Sequence, residues 1–545
     1  MGNKLFEELL RARGLAEGEA REAFLLPSYE AGHDAFLLPD MGAAVDRLVL
    51  ARGRGERVWI YGDYDIDGLT ATTILLEAFG AFGVQVDSFI PNRFVDGYGL
   101  SEGAMRQLAQ KGAQLIVTVD CGSLSHREIE LANSLGMEVI VTDHHSVAPE
   151  MPPAVATINP KRPDHEYPFI DLAGCGVAFK LVQALQTRLD GLPKGQEKWL
   201  LDLVALGTVC DVVSLVDENR ANVYWGLKVM AKTRRVGLLA LAAVAGIDIE
   251  KVTARQLGFV LGPHLNAAGR LETAQLSLDL LRATDRMQAL AIAEQLHGMN
   301  KARRAEQDRI AREAVVQAEA FADDPVLVLS DASWSHGIIG IVAAKMLERF
   351  KKPTFVLQEI GDEAKGSARS YGDFSAVDGI RASDEWLIKG GGHKLAAGVT
   401  LATKNIDNFR RAINGFYHSL ALVDQLRHLE PVEDVCVDVC DGLTMELVGL
   451  LGQLEPFGHG NREPVFRLRG MRVLERRLMG ADKQHVKLLV ADAAGARLAA
   501  IGFNMAVHVG AQVGDTVDVW VEVLVNEWRG RRTVEGRLLK VASSD

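Results

Sequence analysis

The sequence predicts an α/β protein of several domains, with a parallel sheet and helical crossovers near its start and a small β-barrel at its end. The first observation is the length of 545 residues, which exceeds an ordinary single domain. The second is that apolar strands alternate with amphipathic helices after residue 55, the pattern of a mostly parallel sheet. The third is a change, from about residue 431, to short alternating strands separated by turns, which is typical of a small barrel.

The composition excludes several classes of protein. A hydrophobic fraction of 48% and a charged fraction of 24% are typical of globular proteins. The net charge of −12 argues against a protein that coats nucleic acid through bulk positive charge, so any nucleic-acid contact requires a local basic groove. Five cysteines without a CxxC pair, together with no signal peptide and no long apolar run, predict a cytoplasmic protein that does not cross a membrane.

The stretch YGDYDIDGLT at residues 61–70 is the most informative in the chain. It follows a predicted buried strand at residues 58–60 and precedes a helix predicted from about residue 70 to 82. Its carboxylates Asp63, Asp65 and Asp67 would repel one another unless a cation lies among them, and Mg²⁺ and Mn²⁺ prefer such oxygen ligands. The alternative is a solvated acidic turn that caps the next helix.

Two later predicted strands also end in candidate ligands. Asp120 directly follows the strand at residues 115–119, and Asp143, His144 and His145 follow the strand at 139–142. Because ligands bind at the carboxyl ends of parallel strands, we expect these side chains to meet the first three aspartates at one edge of the sheet. A single aspartate there could instead cap a helix, and a histidine pair could serve packing alone. The whole set predicts a metal site.

A further candidate ligand lies in ALGTVCDVVSL, after a helix predicted at residues 198–205. Asp211 has apolar neighbours in the sequence, and a buried charge in such surroundings requires a partner. A metal ion would supply one, while a helix-end cap or an ion pair with an arginine is the alternative.

In this order and spacing, YGDYDIDGLT, TVDCG, TDHH and GTVCD resemble the four motifs of the DHH phosphoesterase superfamily. The form of the first motif resembles the RecJ branch, the single-strand-specific 5′→3′ exonucleases. Further stretches fit that branch across nearly the whole chain: IPNRFVDGYGL, GPHLNAAGR, SHGIIGIVA, GSARS, GGGHKLAAG and PFGHGNREPVF.

The resemblance implies two divalent ions, manganese or magnesium, and roles for particular residues. His145 would face the scissile phosphate, and Asp143 would orient the histidine pair. The implied metal ligands are Asp65, Asp67, Asp120, His144 and Asp211, with Asp63 close by.

The same resemblance divides the chain into segments and adds substrate-binding residues. The implied segments are a helical N-terminal segment at 1–55, a DHH phosphoesterase domain at 56–284, a long connecting helix at 285–322, a DHH-associated substrate-binding domain at 323–422 and an oligonucleotide-binding barrel at 431–545. Ser367 and Arg369 match the region that recognises the 5′ end in this family. The other implied contacts are Arg93, Tyr98, Arg270, Arg303, Arg304, His336, Gly391, Gly392 and His393.

The barrel is predicted from short strands, two of them at residues 465–469 and 472–475. Barrels of this class bind single strands by stacking bases on aromatic side chains in a basic groove. Trp520, Trp528, Phe457 and Phe466 are candidates, although most of them are better explained as core residues. Arg529, Arg531 and Arg532 lie beside them in the sequence.

We therefore predict a metal-dependent 5′→3′ exonuclease that hydrolyses single-stranded DNA to mononucleotides in DNA repair and recombination. The alternatives are a DHH-family phosphodiesterase on short RNA or cyclic dinucleotides, or a non-catalytic DNA-binding scaffold of the same fold. The absence of a GxxxxGK[ST] loop disfavours an ATP-driven enzyme. The family suggests a single-strand-binding protein and a helicase as partners, and we expect a monomer. The pattern leaves open the bridging ligand, DNA against RNA preference and the role of His264.

Overall fold

The computed structural model describes residues 2–544, so Met1 and Asp545, at the ends of the two outermost predicted segments, lie outside the described residues. It contains two compact units. The first comprises the residues up to Leu296 together with those from Pro431 onward, and the second comprises His297–Glu430.

The first unit contains a five-stranded, fully parallel sheet, as the sequence predicts. Its strands stand in the order β2-β1-β3-β4-β5. β2 lies on one side of β1, and β3 and the later strands lie on the other side. The direction in which strands are added therefore reverses beside β1, and open α/β sheets bind ligands at such a point. The strands are β1 Val58–Tyr61, β2 Val86–Phe89, β3 Leu115–Val119, β4 Glu138–Thr142 and β5 Ala156–Ile158.

Helices cover this sheet and build the rest of the first domain. β3 is buried along its whole length, as expected for a parallel sheet covered on both faces. The helices are α1 Gly2–Ala12, α2 Glu19–Leu25, α3 Met41–Arg54, α4 Ile66–Ala81, α5 Glu102–Gln110, α6 His126–Ser134, α7 Gly174–Leu185, α8 Leu201–Cys210, α9 Asp217–Met230, α10 Val236–Ala245, α11 Ala254–Gln256, α12 Gly262–Leu271 and α13 Gln275–Arg282.

Two helix boundaries differ from the prediction. α4 begins at Ile66 rather than near residue 70, because Asp65 caps it by accepting a hydrogen bond from the Gly68 N–H at 3.1 Å. α8 continues to Cys210 rather than ending at residue 205, so Asp211 is the C-cap residue. Both corrections move candidate ligands onto helix ends.

The GPHLNAAGR stretch lies in a helical run that contains a π-helical turn. α11 leads directly into the π-helical segment Leu257–Leu261, which leads into α12. His264 is buried there, and its Nδ1 lies 2.7 Å from the carbonyl oxygen of Val260 one turn earlier. His264 therefore packs inside the helical run and contacts its backbone.

The second unit is organised around a mixed sheet of order β6-β7-β8-β10-β9, in which β6 and β7 are parallel and the other pairs are antiparallel. The long predicted helix exists as α14 Arg286–Ala320, which runs unbroken through Gly298. The strands are β6 Leu327–Asp331, β7 Thr354–Ile360, β8 Glu363–Arg369, β9 Leu387–Gly392 and β10 Ala396–Ala402. The other helices are α15 His336–Phe350, α16 Ala376–Ala382 and α17 Ile406–Ser419.

The C-terminal barrel belongs to the first unit. Its strands stand in the order β11-β12-β13-β14-β16-β15, and β12 also pairs with β15, which closes the barrel. The strands predicted at 465–469 and 472–475 form one strand, bent where Gly470 takes a φ of +63° and the register with β15 shifts. The elements are β11 Val435–Val437, α18 Met445–Leu451, β12 Val465–Met479, β13 His485–Ala491, β14 Arg497–Gly502, β15 Thr516–Trp528 and β16 Arg531–Ser543.

Arg220 on α9 fastens the barrel to the first domain. Its guanidinium donates hydrogen bonds to the backbone carbonyls of Phe24, Leu454, Glu455 and Pro456 at 2.9 to 3.4 Å. The N-terminal helix adds to this attachment, because its buried face joins the hydrophobic core of the barrel. Among residues 2–544, no helix is long and apolar enough to cross a membrane.

Candidate metal centre

The carboxyl ends of β1, β3 and β4, together with the end of α8, bring the predicted ligands into one cluster. β1, β3 and β4 are adjacent in the sheet, so the residues that follow them share one edge. The side chains form three sets, and within each set the ligand atoms lie within 4.8 Å of one another. The sets are Asp63, Asp65 and Asp120; Asp67, His144 and Asp211; and Asp120, His144 and His145.

His144 lies at the middle of this cluster. Its Nε2 is 3.1 Å from Asp120 Oδ1, 3.6 Å from Asp211 Oδ2 and 3.7 Å from Asp67 Oδ2. Residues separated by up to 144 positions in the sequence therefore converge on one imidazole nitrogen.

Asp67 is held by the N-terminus of α7. The backbone N–H of Gly174 donates to its Oδ2 at 2.6 Å, and the N–H of Cys175 donates to its Oδ1 at 2.9 Å. A carboxylate at this position is stabilised by the helix dipole as well as by the two hydrogen bonds. The approach is possible because residue 174 has no side chain: a Cβ there would lie 2.9 Å from Asp67 Oδ2 and from Asp120 Oδ1.

Asp120 adopts a strained backbone conformation. Its φ of +61° is uncommon for a residue other than glycine, and such strain is typical of functional sites. Its N–H donates to the carbonyl of Thr142 in β4, and its own carbonyl accepts a hydrogen bond from the Tyr98 hydroxyl at 3.3 Å. These two contacts hold the strained peptide on both sides.

The cluster has the properties of a divalent cation site. Burial, followed by repulsion from neighbouring aspartates, raises the pKa values of Asp63, Asp65 and Asp120 and raises that of Asp211 to about 9. Burial also lowers the pKa of His144 to about 4, which keeps its imidazole neutral and able to ligate. Adjacent carboxyl groups with raised pKa values resist ionising together unless cations lie among them.

Unpaired buried atoms point to the same conclusion. Asp63 Oδ1, Asp120 Oδ1 and both ring nitrogens of His144 are buried and make no hydrogen bond. Such atoms require a partner, and oxygen and imidazole donors suit manganese and magnesium. The residues therefore fit the predicted ions, with Asp63, Asp65, Asp67, Asp120, His144 and Asp211 as the side chains that would hold them.

Asp143 and His145 form a separate pair beside these ligands. Asp143 Oδ1 accepts hydrogen bonds from the backbone N–H groups of His144 and His145 and lies 2.9 Å from His145 Nδ1. Burial opposes ionisation of both side chains, but this contact lowers the pKa of Asp143 and raises that of His145. His145 is half-buried, so the pair presents a partly accessible imidazole whose protonated form Asp143 favours.

The chemistry of the cluster follows from these positions. Divalent cations in such a site act as Lewis acids that lower the pKa of water and offset the charge that develops on a phosphodiester during in-line displacement. Asp67 is fixed by α7 and Asp143 holds His145, whose imidazole could then donate a proton or offer a positive charge to a phosphate bound at the cluster.

Three predicted substrate-binding residues lie in the first domain. The guanidinium carbon of Arg93 lies 4.0 Å from the ring centroid of Tyr64, inside the first motif. The hydroxyl of Tyr98 lies 3.0 Å from His145 Nδ1, which places Tyr98 at the cluster. Arg270 lies in the last turn of α12, where Gly269 packs against the backbone of Tyr64.

The other predicted substrate-binding residues form a second group in the second unit. Ser367 and Arg369 lie on β8 facing α15, because a Cβ on Gly340 would contact both side chains. Burial alone lowers the pKa of Arg369. Arg303 is buried on α14, bonded to the side-chain oxygens of Asn300 and Gln307. The rest are exposed Arg304 on α14, His336 at the start of α15, Gly391 and Gly392 at the end of β9, and His393 directly after it.

The barrel aromatics divide as the sequence suggests. Phe466 is fully buried, Trp520 is 6% exposed with its indole N–H bonded to Glu433, and Phe457 packs against the barrel core. Trp528 is 70% exposed at the end of β15. It lies next to the two-residue turn Arg529-Gly530 that leads into β16, so its ring and the neighbouring arginines are accessible.

Several residues at the centre were missed by the sequence interpretation. They are Gly174 and Cys175, which anchor Asp67, Ser123, whose backbone N–H donates to Asp143 Oδ2, and Asn159, whose side-chain amide donates to the His145 carbonyl and to Ser123 Oγ. A glycine pair opening a helical run, GCG at residues 174–176, was the one available signal of a close backbone approach.

Comparison with known proteins agrees with this geometry. The family model for the DHH family, N-terminal domain, matches residues 57–208. The DHHA1 domain model matches residues 323–419, and the RecJ OB domain model matches residues 437–539. The single-stranded-DNA-specific exonuclease RecJ of Bacillus subtilis is 35% identical over 545 residues, covering 99% of this chain and 68% of that protein. The chain belongs to the RecJ family. The resemblance seen in the motifs is thereby confirmed.

Solved RecJ structures have the same fold. The crystal structure of RecJ from Thermus thermophilus in complex with Mn²⁺ matches with a TM-score of 0.84 and 30% identity, covering 99% of this chain and 76% of that one. The complex of the same organism's RecJ with Mg²⁺ matches with a TM-score of 0.78, 29% identity and coverages of 99% and 74%. The predicted architecture of a parallel-sheet domain, a second α/β domain and a barrel is confirmed.

Proposed function

We propose that this protein is a metal-dependent exonuclease that hydrolyses phosphodiester bonds of single-stranded DNA, using two Mn²⁺ or Mg²⁺ ions. The observation that carries the proposal is the convergence of five aspartates and two histidines, several of them buried and unpaired, at one edge of the parallel sheet. Membership of a family whose relatives are single-stranded-DNA-specific exonucleases supports the substrate.

The proposal assigns roles by position. Asp63, Asp65, Asp67, Asp120, His144 and Asp211 hold the ions, and His145 with Asp143 faces the scissile phosphate. Arg369 and Ser367 bind the 5′-terminal phosphate. The half-buried side chain of Arg369 supports that role. Its Nη1 donates to the Ala368 carbonyl at 2.8 Å, and it makes no salt bridge among the described residues, which leaves its charge for an anion.

The direction and products follow the family resemblance. We propose 5′→3′ hydrolysis to mononucleotides, in DNA repair and recombination. The test uses single-stranded oligonucleotides with a 5′-phosphate and a label at one end, incubated with the full chain and Mn²⁺. A 5′ label should appear first as a mononucleotide, and a blunt duplex should be resistant. Early release of a 3′ label, or equal cleavage of duplex, would contradict the proposal.

An Asp120→Ala variant tests the metal centre. Removing this carboxylate takes away an oxygen shared by two of the three ligand sets, so Mn²⁺ binding should weaken and cleavage should fall to background. DNA binding should stay largely intact, because the arginine contacts remain. The matched control is Asp190→Ala, an exposed aspartate of the same domain, which should behave as the wild type. Equal loss of binding and cleavage in the Asp120 variant would contradict this division of roles.

The same assays separate the alternatives. A phosphodiesterase of short RNA or cyclic dinucleotides would prefer a dinucleotide to a long oligonucleotide, and a scaffold would bind without cleaving. The match of residues 437–539 to the RecJ OB domain supports the long single-stranded substrate.

For the cell, we propose a cytoplasmic monomer that acts with a single-strand-binding protein and a helicase. The five cysteines are all free thiols in the described residues, which supports a reducing compartment. Pull-down and sedimentation experiments with the purified chain test the partners and the oligomeric state.

A further inference from the structure

A lysine near the metal centre makes no ion pair among the described residues. Lys161 follows the short strand β5, which pairs with β4 at the edge where the candidate ligands lie. It is exposed, and it forms no salt bridge among residues 2–544. Its ammonium is therefore a positive charge without an ion-pair partner, in the segment that follows β5.

The backbone of Lys161 is fixed to the centre by a buried asparagine. Asn159 is fully buried and accepts a hydrogen bond from the Lys161 N–H at 2.8 Å. The side-chain amide of the same residue donates to the His145 carbonyl at 2.9 Å and to Ser123 Oγ at 2.8 Å. Lys161 is therefore tied through one side chain to His145, whose ring faces the reacting phosphate in the proposed function.

The neighbouring cation is used differently. Arg162 bonds to Asp40 and Asp164 and to the carbonyl of Thr157, so its charge is neutralised locally. Lys161 has no such local partner: Asn159 holds its backbone close to that of His145, and its side chain is exposed. Lys161 therefore offers a positive charge, not neutralised by an ion pair, beside the backbone that carries His145.

We propose that Lys161 binds the phosphodiester presented to the metal centre and is a further substrate-binding residue for the reaction. This inference rests on the proposed function. A positive charge among metal ligands weakens cation binding, whereas a dianionic or transition-state phosphate at the same place is attracted by it. Lys161 should therefore weaken metal binding slightly and strengthen binding of the phosphodiester substrate.

These opposite signs give a test with the full chain. Lys161→Ala should lower kcat/KM on a single-stranded oligonucleotide about tenfold, the size of one charge-assisted contact. The slope of log kcat/KM against log salt should become shallower by about 0.7, the value for one phosphate of a single strand. In the absence of DNA, the Mn²⁺ affinity measured by calorimetry should be unchanged or tighter.

The control variants fix the interpretation. Lys161→Arg should restore most of the activity and Lys161→Gln should not. Lys194→Ala, an exposed lysine of the same domain, should match the wild type. Wild-type kcat/KM and salt slope in Lys161→Ala would overturn the inference, and so would a parallel loss of Mn²⁺ affinity and cleavage. An inactive wild type would instead overturn the proposed function, so the two failures are distinguishable.

Discussion

A methyl group at residue 174 should disable the metal centre while leaving the fold intact. Gly174 is the first residue of α7, and its φ lies outside the left-handed region, so alanine can adopt the same backbone. Its Cβ, however, would lie 2.9 Å from Asp120 Oδ1 and 2.9 Å from Asp67 Oδ2, where ordinary contact begins at about 3.4 Å. The two carboxylates must therefore retreat by roughly half an ångström.

The expected losses follow from that displacement. Overpacking of this kind costs about 1–3 kcal/mol of the free energy of unfolding. A displacement approaching 1 Å at reacting groups can cost about 10²-fold in rate, so we expect Gly174→Ala to lose about 10- to 100-fold in kcat. Mn²⁺ affinity should fall with it, because Asp67 and Asp120 belong to different ligand sets.

The assay combines calorimetric Mn²⁺ titration, cleavage of a single-stranded oligonucleotide and chemical unfolding. The matched control is Gly80→Ala in α4, where a Cβ would meet nothing within 4 Å. That change should stabilise the helix by up to about 1 kcal/mol and leave activity unchanged. If Gly174→Ala binds Mn²⁺ and cleaves DNA as well as the wild type does, the close approach of α7 to the carboxylates has no functional meaning.

Three further predictions concern the substrate and the barrel. Arg369→Ala should reduce the preference for a 5′-phosphorylated over a 5′-hydroxyl oligonucleotide about tenfold, with a smaller effect on the rate for the unphosphorylated strand. Tyr98→Phe removes the hydroxyl that contacts His145 and the Asp120 carbonyl, so kcat should fall several-fold with KM unchanged in steady-state kinetics. Burial and a hydrogen bond with Glu463 raise the pKa of Glu522 to about 7. Between about pH 4.5 and 7, the folded state therefore keeps a proton that the unfolded state releases. The stability of the protein should fall as the pH rises through that range. In thermal unfolding, Glu522→Gln should flatten this dependence of stability on pH.

Most of the candidate metal centre could be predicted from the sequence, because three of its four segments follow strands of one parallel sheet. Apolar runs locate β1, β3 and β4, and adjacent parallel strands place the residues after them at one edge. Asp120 and the Asp143-His144-His145 group therefore needed no knowledge of long-range contacts. Asp211 was predicted from its apolar neighbours in the sequence, although helix α8 extends five residues further than predicted.

The supports of the centre could not be predicted, because they join distant residues through the backbone. The hydrogen bond from the Gly174 N–H to Asp67 links residues 107 positions apart, and neither residue type indicates the other as its partner. The strain at Asp120 has the same character, since nothing in TVDCG marks a positive φ. The early start of α4 was missed because Asp65 and Gly68 suggest a turn, whereas here they form a helix cap.

The attachment made by Arg220 has a consequence for how the C-terminal barrel can be studied. A second contact with the C-terminal region lies four residues after Asp211. There the Leu215 N–H donates to the His459 carbonyl at 2.7 Å. A truncation before residue 431 would thus remove three of the four carbonyl acceptors of the buried Arg220 guanidinium and expose the apolar face of the N-terminal helix. Loss of activity in such a shortened protein would reflect destabilisation of the remaining domain as well as loss of a DNA-binding module. Point variants on the barrel surface separate the two effects better.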